Sequence, residues 1–378
     1  MLRIAHIESS FNMSGQELRI LDQIRWLCNH GHSAWLLAHK DSAVYHEAEY
    51  RKLPAYPIPI RGSANLQAIL RLMRFVQSQK IQILDCHSAS AASTAFAAKL
   101  FTIPVVRTLH YDFETDTIHK YLLRYGSDHF ITVSHWIADK LIKLKCADQS
   151  MISIIPTGID LNRFSPEIDK SSVRNEFNIP ENTIVISVIA MIRPDKGHKY
   201  LIRAVDRIAD VNNNIRFLIV GSATRNEYLD ELKKEIAAIR HRDKVIFTGF
   251  RQDIEKVIAA SDVIVNSSIY ETRSQVIHQA FAMKKLVIAS SAGGNKESIA
   301  HGKTGFLFYS ESVESLSQTI LSVLGNHTEC IREQAYQMAL SEHGIETMME
   351  RTLNIYRKIL KDKQSLHCIW PKKENPNI

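Results

Sequence analysis

The hydrophobic positions of the chain fall into short β-branched runs that alternate with amphipathic stretches of helical spacing. This alternation is typical of α/β domains, in which helices cover parallel strands. A helix is predicted from Glu17 to Asn29, with Gly31 following as its cap, because glycine readily adopts the conformation that ends helices. In the first half, strands are predicted at Arg3–Ile7, Ala34–Ala38, Ile81–Asp85, Val105–Thr108, His129–Thr132 and Ile152–Ile155.

A polar passage from Asn162 to Asn182 interrupts this pattern, which then restarts. Further strands are predicted at Ile184–Ala190, Arg216–Val220, Val245–Thr248, Val263–Asn266 and Leu286–Ala289. The helices between and after them are predicted at Tyr200–Ala209, Tyr228–Ile239, Ile254–Ala259, Val276–Met283, Val313–Leu324 and Ile345–Leu360. The fold class is therefore α/β, with two Rossmann-like doubly wound parallel-sheet domains facing across a cleft.

The domain boundaries follow from the same pattern. The first domain is placed at residues 1–165, the linker at 166–182 and the second domain at 183–344. The helix at 345–360 is expected to cross back to the first domain, and residues 361–378 to form a poorly ordered tail. A length of 378 residues exceeds what one hydrophobic core usually organises, which agrees with two domains.

Composition indicates a soluble cytoplasmic protein. Hydrophobic residues make up 45% and charged residues 23% of the chain, as in ordinary globular proteins. The N-terminus is typical of a strand rather than a signal peptide, and no apolar run reaches the roughly 20 residues that span a bilayer. The 5 cysteines are scattered and form no CxxC pair, which favours a reducing compartment and argues against a zinc site.

A formal charge of +7 favours acidic partners. Nucleic acid is not expected, since the basic residues form no patch that supports a recognisable binding motif. An anionic membrane surface is a possible partner. The segment from Leu66 to Gln77 places apolar residues beside Arg71 and Arg74 at helical spacing, and Lys140 to Lys145 again combines apolar and basic residues. The alternative is an ordinary helix packed on its own sheet with solvated arginines.

The candidate chemistry centres on the segment from Ser267 to Glu297. Glu271 lies between a predicted strand and the next helix, and the backbone N–H groups of Ser274, Gln275 and Val276 begin that helix. Such a helix N-terminus binds anions, so a diphosphate is a candidate ligand. Gln279 lies one turn further along, and Gly293-Gly294 is expected to let the backbone approach a ligand closely. Glu271 as a mere exposed acid at a helix start is the alternative.

The order of these motifs resembles the donor-binding signature of family 4 glycosyltransferases, which are retaining enzymes of the GT-B fold. The motifs in the second half are Ser267-x3-Glu271-x7-Gln279, Leu286 to Ala289, Gly293-Gly294-x2-Glu297, Gly302 to Leu307, and Arg193 to His198. Those in the first half are Ser14 to Glu17, Asp85 to Ser88, Val106 to His110, and Ile155 to Phe164. The resemblance covers nearly the whole chain.

The resemblance implies a role for each matching residue. Lys196 and Arg193 would hold the diphosphate of the nucleotide-sugar donor and stabilise the leaving group, so no metal and no other cofactor is expected. Glu271 would accept hydrogen bonds from the donor sugar, and the Ser274, Gln275 and Val276 amides would support the phosphates and sugar. Gln279 would bind the ribose, and Gly15 would lie near the diphosphate. His110 would lie near the donor sugar and the acceptor hydroxyl.

Two residues depart from the family pattern. Gln279 stands where most members have glutamate, and an amide still hydrogen-bonds a ribose diol, though less strongly than a carboxylate. Met191 stands where many members have the phosphate-binding arginine, and Arg193 lies two residues later on the same strand face. Because some members that decorate bacterial lipopolysaccharide share the Gln-Ala ending, Gln279 indicates a subgroup.

Other interpretations of single residues stay open. Arg193 and Lys196 could be solvated loop charges, and His110 a structural histidine. His87 and His198 are interpreted as structural or peripheral. The acids Asp112, Glu114 and Asp116 are interpreted as a solvated loop rather than a magnesium site, because no second cluster supplies further ligands.

We therefore predict transfer of a sugar from a nucleoside-diphosphate sugar to a hydroxyl of a glycan or glycolipid acceptor. The expected setting is lipopolysaccharide or surface polysaccharide assembly, with the protein cytoplasmic and peripheral on the inner face of the membrane. A nucleotide-sugar epimerase of the same fold and a non-catalytic nucleotide-sugar-binding protein are the alternatives, since a fold does not fix a function.

Overall fold

The computed structural model describes residues 1–60, 65–88, 96, 103–113 and 116–369, with the backbone alone over 364–369. The chain divides into two compact units. Unit 1 comprises Met1–Thr157 and Met348–Ile378, and unit 2 comprises Gly158–Thr347. Each unit contains one wholly parallel sheet.

Unit 1 contains a seven-stranded sheet with the order β3-β2-β1-β4-β5-β6-β7. Its strands are β1 (Arg3–Ile7), β2 (Ser33–Ala38), β3 (Ala55–Pro57), β4 (Ile83–Cys86), β5 (Val105–Leu109), β6 (His129–Thr132) and β7 (Ile152–Ile154). Its helices are α1 (Gly15–Asn29), α2 (Ala43–Tyr50), α3 (Leu66–Ser78), α4 (Thr117–Gly126) and α5 (His135–Lys143).

The helices of unit 1 bury the apolar faces that their sequence spacing predicts. Leu72, Phe75 and Val76 of α3 pack with Ile7 and Leu84 in one cluster of the core. Burying such side chains is the dominant favourable term in folding, at roughly 25 cal/mol per Å² of apolar surface.

Unit 2 contains a six-stranded sheet with the order β10-β9-β8-β11-β12-β13. Its strands are β8 (Ile184–Ile189), β9 (Ile215–Val220), β10 (Val245–Gly249), β11 (Val263–Asn266), β12 (Leu286–Ser290) and β13 (Phe306–Phe308). Its helices are α6 (Ser171–Glu176), α7 (His198–Val211), α8 (Asn226–Ala238), α9 (Ile254–Ala260), α10 (Gln275–Ala282), α11 (Asn295–Ser298), α12 (Val313–Leu324) and α13 (Glu329–Glu342). The last helix, α14 (Ile345–Ile369), begins in unit 2 and continues in unit 1.

Apolar clusters line the sheet of unit 2. One cluster joins Leu201, Val205 and Ile208 of α7 to Leu316 and Ile320 of α12. Another contains residues of α10 and α13, among them Ile277, Phe281, Ala335 and Ala339. Strands buried in this way have continuous apolar runs in their sequences, as Ile264 to Val265 and Val287 to Ile288 do.

The prediction of two parallel-sheet α/β domains is confirmed. The segment 166–182, predicted as a linker, contains α6, and its Val173 and Ile179 lie in a buried cluster of unit 2. Residues 361–369, predicted as part of a tail, continue α14. The units themselves divide between Thr157 and Gly158, ahead of the predicted boundary at 165.

The order of strands locates a switch point in each sheet. In unit 1 the chain order reverses between β1 and β4, and in unit 2 between β8 and β11. Ligands of doubly wound sheets bind beyond the carboxyl ends of the strands at such a point. The loops after β1, β4, β8 and β11 are therefore the places to look for a functional site.

Candidate active site

An ion pair joins the two loops at the switch point of unit 2. Lys196, in the turn after β8, donates from Nζ to Glu271 Oε2 over 2.8 Å, and the Ser268 hydroxyl donates to the same oxygen over 3.2 Å. The two side chains are only 17% and 11% exposed, so water screens this pair less than a surface pair. The structure thus brings together Lys196 and Glu271, which the sequence places 75 residues apart.

Backbone contacts hold these two loops against each other. The Ser267 hydroxyl donates to the Lys196 carbonyl over 3.0 Å, and the Ile269 N–H donates to the Asp195 carbonyl over 2.8 Å. Gly197 sits at the closest approach with φ +64°, and a Cβ there would lie 2.1 Å from the Ser267 carbonyl oxygen. Only glycine meets both demands, and the position of Lys196 depends on it.

Arg193 engages a different carboxylate from Lys196. Its guanidinium donates to Asp195 over 2.8 Å, and the side chain is 38% exposed. Its Nε is buried and has no hydrogen-bond partner among the residues that the structure describes. Arg193 therefore lies on the same turn as Lys196, but its ion pair in the described part of the chain is with Asp195 and not with Glu271.

The first turn of α10 follows the Glu271 loop directly. The helix begins at Gln275, one residue before the predicted start, with Ser274 as an extended N-cap. The Ser274 hydroxyl does not cap the helix, unlike the serines that begin α2, α5 and α12. The amides of Gln275 and Val276 lie in this first turn, and Gln279 follows one turn later, half-buried. This is the geometry of an anion site at a helix N-terminus.

The glycine pair Gly293-Gly294 lies against the backbone of the protein itself. A Cβ on Gly293 would lie 2.1 Å from the Glu271 carbonyl oxygen, and one on Gly294 would lie 1.7 Å from that of Thr272. The Gly294 N–H donates to the Glu271 carbonyl over 2.9 Å. The two glycines thus approach the loop that carries Glu271 closely and fix it, and their approach to a ligand stays a prediction.

Arg273, which the sequence motifs do not identify, supports the same loop. Its guanidinium lies 4.0 Å from Glu297 and 3.4 Å from the ring of His278. Burial lowers the pKa of Arg273, and the charge of Glu297 opposes that shift. The sequence does hint at this role. Arg273 lies two residues after Glu271 and close to a buried strand, where a charged side chain needs a partner.

In unit 1, Gly15 begins α1 beside a buried carboxyl group. Glu17 accepts hydrogen bonds from the N–H and the hydroxyl of Ser14, at 2.8 and 2.5 Å. Glu8, which follows β1, accepts from the N–H groups of Ser9 and Ser10, each at 2.7 Å, and from the Gln16 amide. Burial raises the pKa of Glu8 to about 7, so sequence reasoning also missed a titratable group at this loop.

His110 follows β5 and contacts a second histidine. Its Nε2 lies 3.0 Å from Nδ1 of His87, and Nε2 of His87 lies 3.0 Å from Nδ1 of His6. Burial holds the pKa of His87 and His110 well below the ordinary value and lowers that of His6 to about 3. His87, interpreted from the sequence as structural, therefore touches the predicted functional histidine.

Asp85 lies beside these rings but bonds to other groups. It accepts from the Thr108 hydroxyl over 2.8 Å and from the Tyr356 hydroxyl of α14 over 2.6 Å. His6, Asp85 and His87 could each offer one ligand atom to a metal ion, and these atoms lie within 4.8 Å of one another. The two imidazoles are within hydrogen-bond distance of each other, closer than the roughly 3.3 Å between ligand atoms around a tetrahedral zinc ion.

The acidic loop near His110 has structural partners where it is described. Asp112 pairs with Lys140, and Asp116 caps α4 by accepting from the His119 N–H over 2.7 Å. Glu114 lies outside the described residues. Asp112 and Asp116, predicted to belong to a solvated loop, therefore stabilise local structure.

Two family models match the chain. The model described as Glycosyltransferase Family 4 matches residues 13–163, and that described as Glycosyl transferases group 1 matches residues 169–339. An uncharacterised glycosyltransferase of Methanocaldococcus jannaschii is 26% identical over 298 residues, which is 74% of this chain and 75% of that protein. The UDP-Gal:alpha-D-GlcNAc-diphosphoundecaprenol alpha-1,3-galactosyltransferase of Escherichia coli is 25% identical over 344 residues, 85% of this chain and 88% of that protein.

Solved structures share the fold at lower identity. A glycosyltransferase from Rickettsia africae superposes with a TM-score of 0.88 at 22% identity, covering 96% of this chain and 99% of that one. HepE from Anabaena, in complex with UDP, superposes with a TM-score of 0.84 at 21% identity, covering 94% of this chain and 100% of that one. Together with the two family matches, this fold shows that the chain belongs to the family 4 glycosyltransferases of the GT-B fold.

Proposed function

We propose that the chain transfers a sugar from a nucleoside-diphosphate sugar to an acceptor hydroxyl with retention of anomeric configuration and without a metal ion. The observation that carries this proposal is the Lys196–Glu271 pair at the switch point of unit 2, next to the first turn of α10. A cation and helix amides there suit the diphosphate, which departs as part of the leaving group, and a carboxylate suits the sugar hydroxyls.

Lys196 and Arg193 supply the charge that stabilises the leaving diphosphate. An ammonium has three donors, and the contact with Glu271 uses one of them. Arg193 adds a planar guanidinium that suits phosphate oxygens. Fixed cations at the position where negative charge develops are usually the largest catalytic contribution, so these residues take the place of a metal ion.

Glu271 and Gln279 orient the donor. The Glu271 carboxylate is held by Lys196, Ser268 and the backbone contacts of its loop, and it accepts hydrogen bonds from sugar hydroxyls. The Gln279 amide, one turn along α10, bonds the ribose, while the Ser274, Gln275 and Val276 amides support the phosphates. In unit 1, Gly15 and His110 have the roles that the resemblance implies, at the diphosphate and at the donor sugar and acceptor hydroxyl.

Uridine diphosphate sugars are the first donors to test. The Escherichia coli relative is named for UDP-galactose, and HepE was solved with UDP and with UDP-glucose. Gln279 in place of glutamate is compatible with such a donor, because an amide contacts the ribose without adding a negative charge near the diphosphate.

The proposed acceptor is a glycan or glycolipid of lipopolysaccharide or surface polysaccharide assembly. The Escherichia coli relative is named for a sugar on diphosphoundecaprenol, a lipid. Across the described part of the chain, no helix is long and apolar enough to cross a membrane. On α3, however, Leu66 and Leu70 are 70% and 49% exposed beside the exposed Arg71 and Arg74, a face that suits an anionic membrane surface.

Incubation with a panel of nucleotide sugars and a polyprenyl-diphosphate sugar acceptor tests the reaction. Chromatography should show nucleoside diphosphate and glycosylated acceptor appearing together, at a rate that EDTA does not change. Epimerised donor without nucleoside diphosphate would identify an isomerase instead. Binding of UDP without turnover of any donor would identify a non-catalytic nucleotide-sugar-binding protein.

A further inference from the structure

Three histidines in unit 1 form a continuous line across the ends of neighbouring strands. His6 lies on β1, His87 follows β4 and His110 follows β5, and these strands are adjacent in the sheet. The two N···N distances along the line are both 3.0 Å. His87 uses Nε2 toward His6 and Nδ1 toward His110, so both of its ring nitrogens are engaged.

All three imidazoles are neutral. Burial lowers the pKa of each ring, and the charge of Arg19 acts in the same direction on all three. A neutral imidazole carries one N–H and one bare nitrogen. His87 must therefore donate to one neighbour and accept from the other, which gives the whole line a single direction.

The buried end of the line decides that direction. His6 is fully buried, and its Nε2 has no hydrogen-bond partner among the described residues. If each ring donated to the next from His110 toward His6, that nitrogen would carry a buried N–H without an acceptor. Such an orphaned donor is rarer in proteins than a buried acceptor without a donor. If each ring donates from His6 toward His110, the same nitrogen carries no hydrogen and is an acceptor.

Asp85 does not interrupt the line. Its oxygens lie 3.8 Å from Nδ1 of His6 and 3.7 Å from Nε2 of His87, beyond hydrogen-bond distance. Both oxygens already accept from shorter partners, the hydroxyls of Thr108 and Tyr356. The carboxylate therefore stabilises the N–H between His6 and His87 by charge without taking it.

We infer that His6 and His87 are positioning residues that hold His110 as its Nδ1–H tautomer. His6 Nδ1–H donates to His87 Nε2, and His87 Nδ1–H donates to His110 Nε2. Toward any other group His110 then acts as a hydrogen-bond donor, and it has no bare nitrogen with which to take a proton. The tautomer follows from the contacts between the rings together with their neutrality, whereas its consequence for catalysis rests on the role proposed for His110.

In the reaction, His110 and the leaving diphosphate then have separate roles. His110 orients an oxygen of the sugar or the acceptor by donating to it, and the proton of the acceptor hydroxyl leaves with the diphosphate that departs from the donor. The bond between the anomeric carbon and the phosphate oxygen breaks, a bond between that carbon and the acceptor oxygen forms, and the proton passes from the acceptor oxygen to the leaving phosphate. No histidine changes its protonation state.

The experiment is nitrogen NMR of the full chain labelled with ¹⁵N-histidine. At pH 7, His87 and His110 should each show a protonated Nδ1 and a bare Nε2, assigned by loss of signals in His110→Gln and His87→Asn. An Nε2–H form of His110, or an imidazolium in any of the three rings, would overturn the inference. Stoichiometric Zn²⁺ binding that shifts the His6 and His87 signals would also overturn it, because the cluster would then be a metal centre.

Two variants of His87 separate positioning from packing. In His87→Asn the amide nitrogen replaces Nδ1 as donor, so His110 should keep its tautomer and kcat should stay near that of the unmodified chain. In His87→Leu the donor is lost, so both tautomers of His110 should appear and kcat should fall about 2–10-fold, with an unchanged KM for the donor. Equal behaviour of the two variants would contradict the positioning role.

His129→Leu is the matched control. His129 is also buried in unit 1, but its Nε2 contacts the Ser153 hydroxyl at 2.9 Å rather than another histidine. The substitution should leave the His110 spectrum and kcat unchanged. If the unmodified chain transfers no sugar at all, the proposed function fails, yet the spectrum still decides the tautomer.

Discussion

At the scale of single residues, the ammonium of Lys196 is the group on which the proposed chemistry depends most. It lies 2.8 Å from Glu271, is largely buried, and sits on a turn fixed by Gly197. Arg193 pairs with Asp195 and is more exposed, at 38% against 17% for Lys196, so we expect the larger contribution from Lys196.

Lys196→Ala should lower kcat about 10²–10³-fold, the usual cost of removing one preorganised stabilising donor. Lys196→Arg keeps the charge in a different shape, so its kcat should fall between those of Lys196→Ala and the unmodified chain. Lys234→Ala, which removes an exposed lysine from α8, is the control and should keep full activity. Initial rates of nucleoside diphosphate release provide the measurement, and similar rates for Lys196→Ala and Lys234→Ala would contradict the assignment.

Glu271→Gln should lower kcat/KM for the donor about 10–100-fold, because charge-assisted hydrogen bonds to sugar hydroxyls become neutral ones. The chain contains a matched surface pair, Lys284–Glu333, with the same 2.8 Å distance but roughly half-exposed side chains. Glu333→Gln should change neither kcat/KM nor stability measurably, since exposed pairs contribute about 0–1 kcal/mol. Steady-state kinetics on both variants would show the contrast, and equal effects would argue against a ligand role for Glu271.

At the scale of elements, the loops of unit 2 depend on backbone proximity that no side chain reveals. Gly197, Gly293 and Gly294 each lie against a carbonyl oxygen of the loop that follows β11. The sequence identifies these glycines as special, but it cannot say whether a ligand or another strand's loop is the neighbour. The sequence pattern alone therefore predicts that Gly293-Gly294 approaches a ligand. In the structure, both glycines lie against the backbone of the Glu271 loop.

Gly197→Ala should destabilise unit 2 by about 2–5 kcal/mol, the sum of a left-handed backbone penalty and an overpacked contact. Gly302→Ala separates the two costs, because Gly302 has φ +74° but an added Cβ would meet nothing within 4 Å. It should cost about 1–2 kcal/mol. Urea unfolding measures both, and equal losses would show that the approach to Ser267 is unimportant.

The elements that sequence pattern predicted well are the long, strongly periodic ones and the buried strands. The strands β1, β6 and β11 and the helix α12 have the predicted bounds, because burial on one face or both fixes their pattern. The strands β3 and β13 escaped prediction because a three-residue run carries no clear period, whereas β7, equally short, was predicted from the apolar run Ile152–Ile155. Helix α13 was missed because its apolar face is narrow, with only Ala335 and Ala339 buried.

The candidate site was predictable only in part, for the same physical reason. Motif order identified Lys196, Glu271 and the α10 amides, which lie at loops of adjacent strands. The line of histidines could not be recognised, because His6 and His87 are 81 positions apart and are joined only through the pairing of β1 with β4.

At the scale of the whole molecule, buried histidines make the fold sensitive to acid. Burial lowers the pKa of His6 to about 3 and those of His129 and His198 to about 4, while the pKa values of His87, His110 and His278 also lie well below 6.5. Below about pH 6.5 the unfolded chain takes up protons that the folded chain does not, so stability falls as pH decreases. Glu8, with a raised pKa of about 7, acts in the opposite sense between its unfolded value and 7.

The free energy of unfolding should therefore decrease from pH 7 to pH 4.5, by up to about 1.4 kcal/mol per pH unit for each such histidine. Urea titrations at several pH values measure this slope. His129→Leu should reduce it, and Glu8→Gln should increase it between pH 4.5 and 7. A stability that is constant over this range would show that these histidines are not neutral in the folded protein.

The proposed reaction is sugar transfer with retention, and it depends on Lys196. Proton NMR can follow the anomeric signals of a uridine diphosphate sugar and of the glycoside formed from it on a polyprenyl-diphosphate sugar acceptor. We expect a product with the same anomeric configuration as the donor, one nucleoside diphosphate for each glycoside, and almost no product from Lys196→Ala. An inverted product, or a time course that Lys196→Ala leaves unchanged, would contradict it.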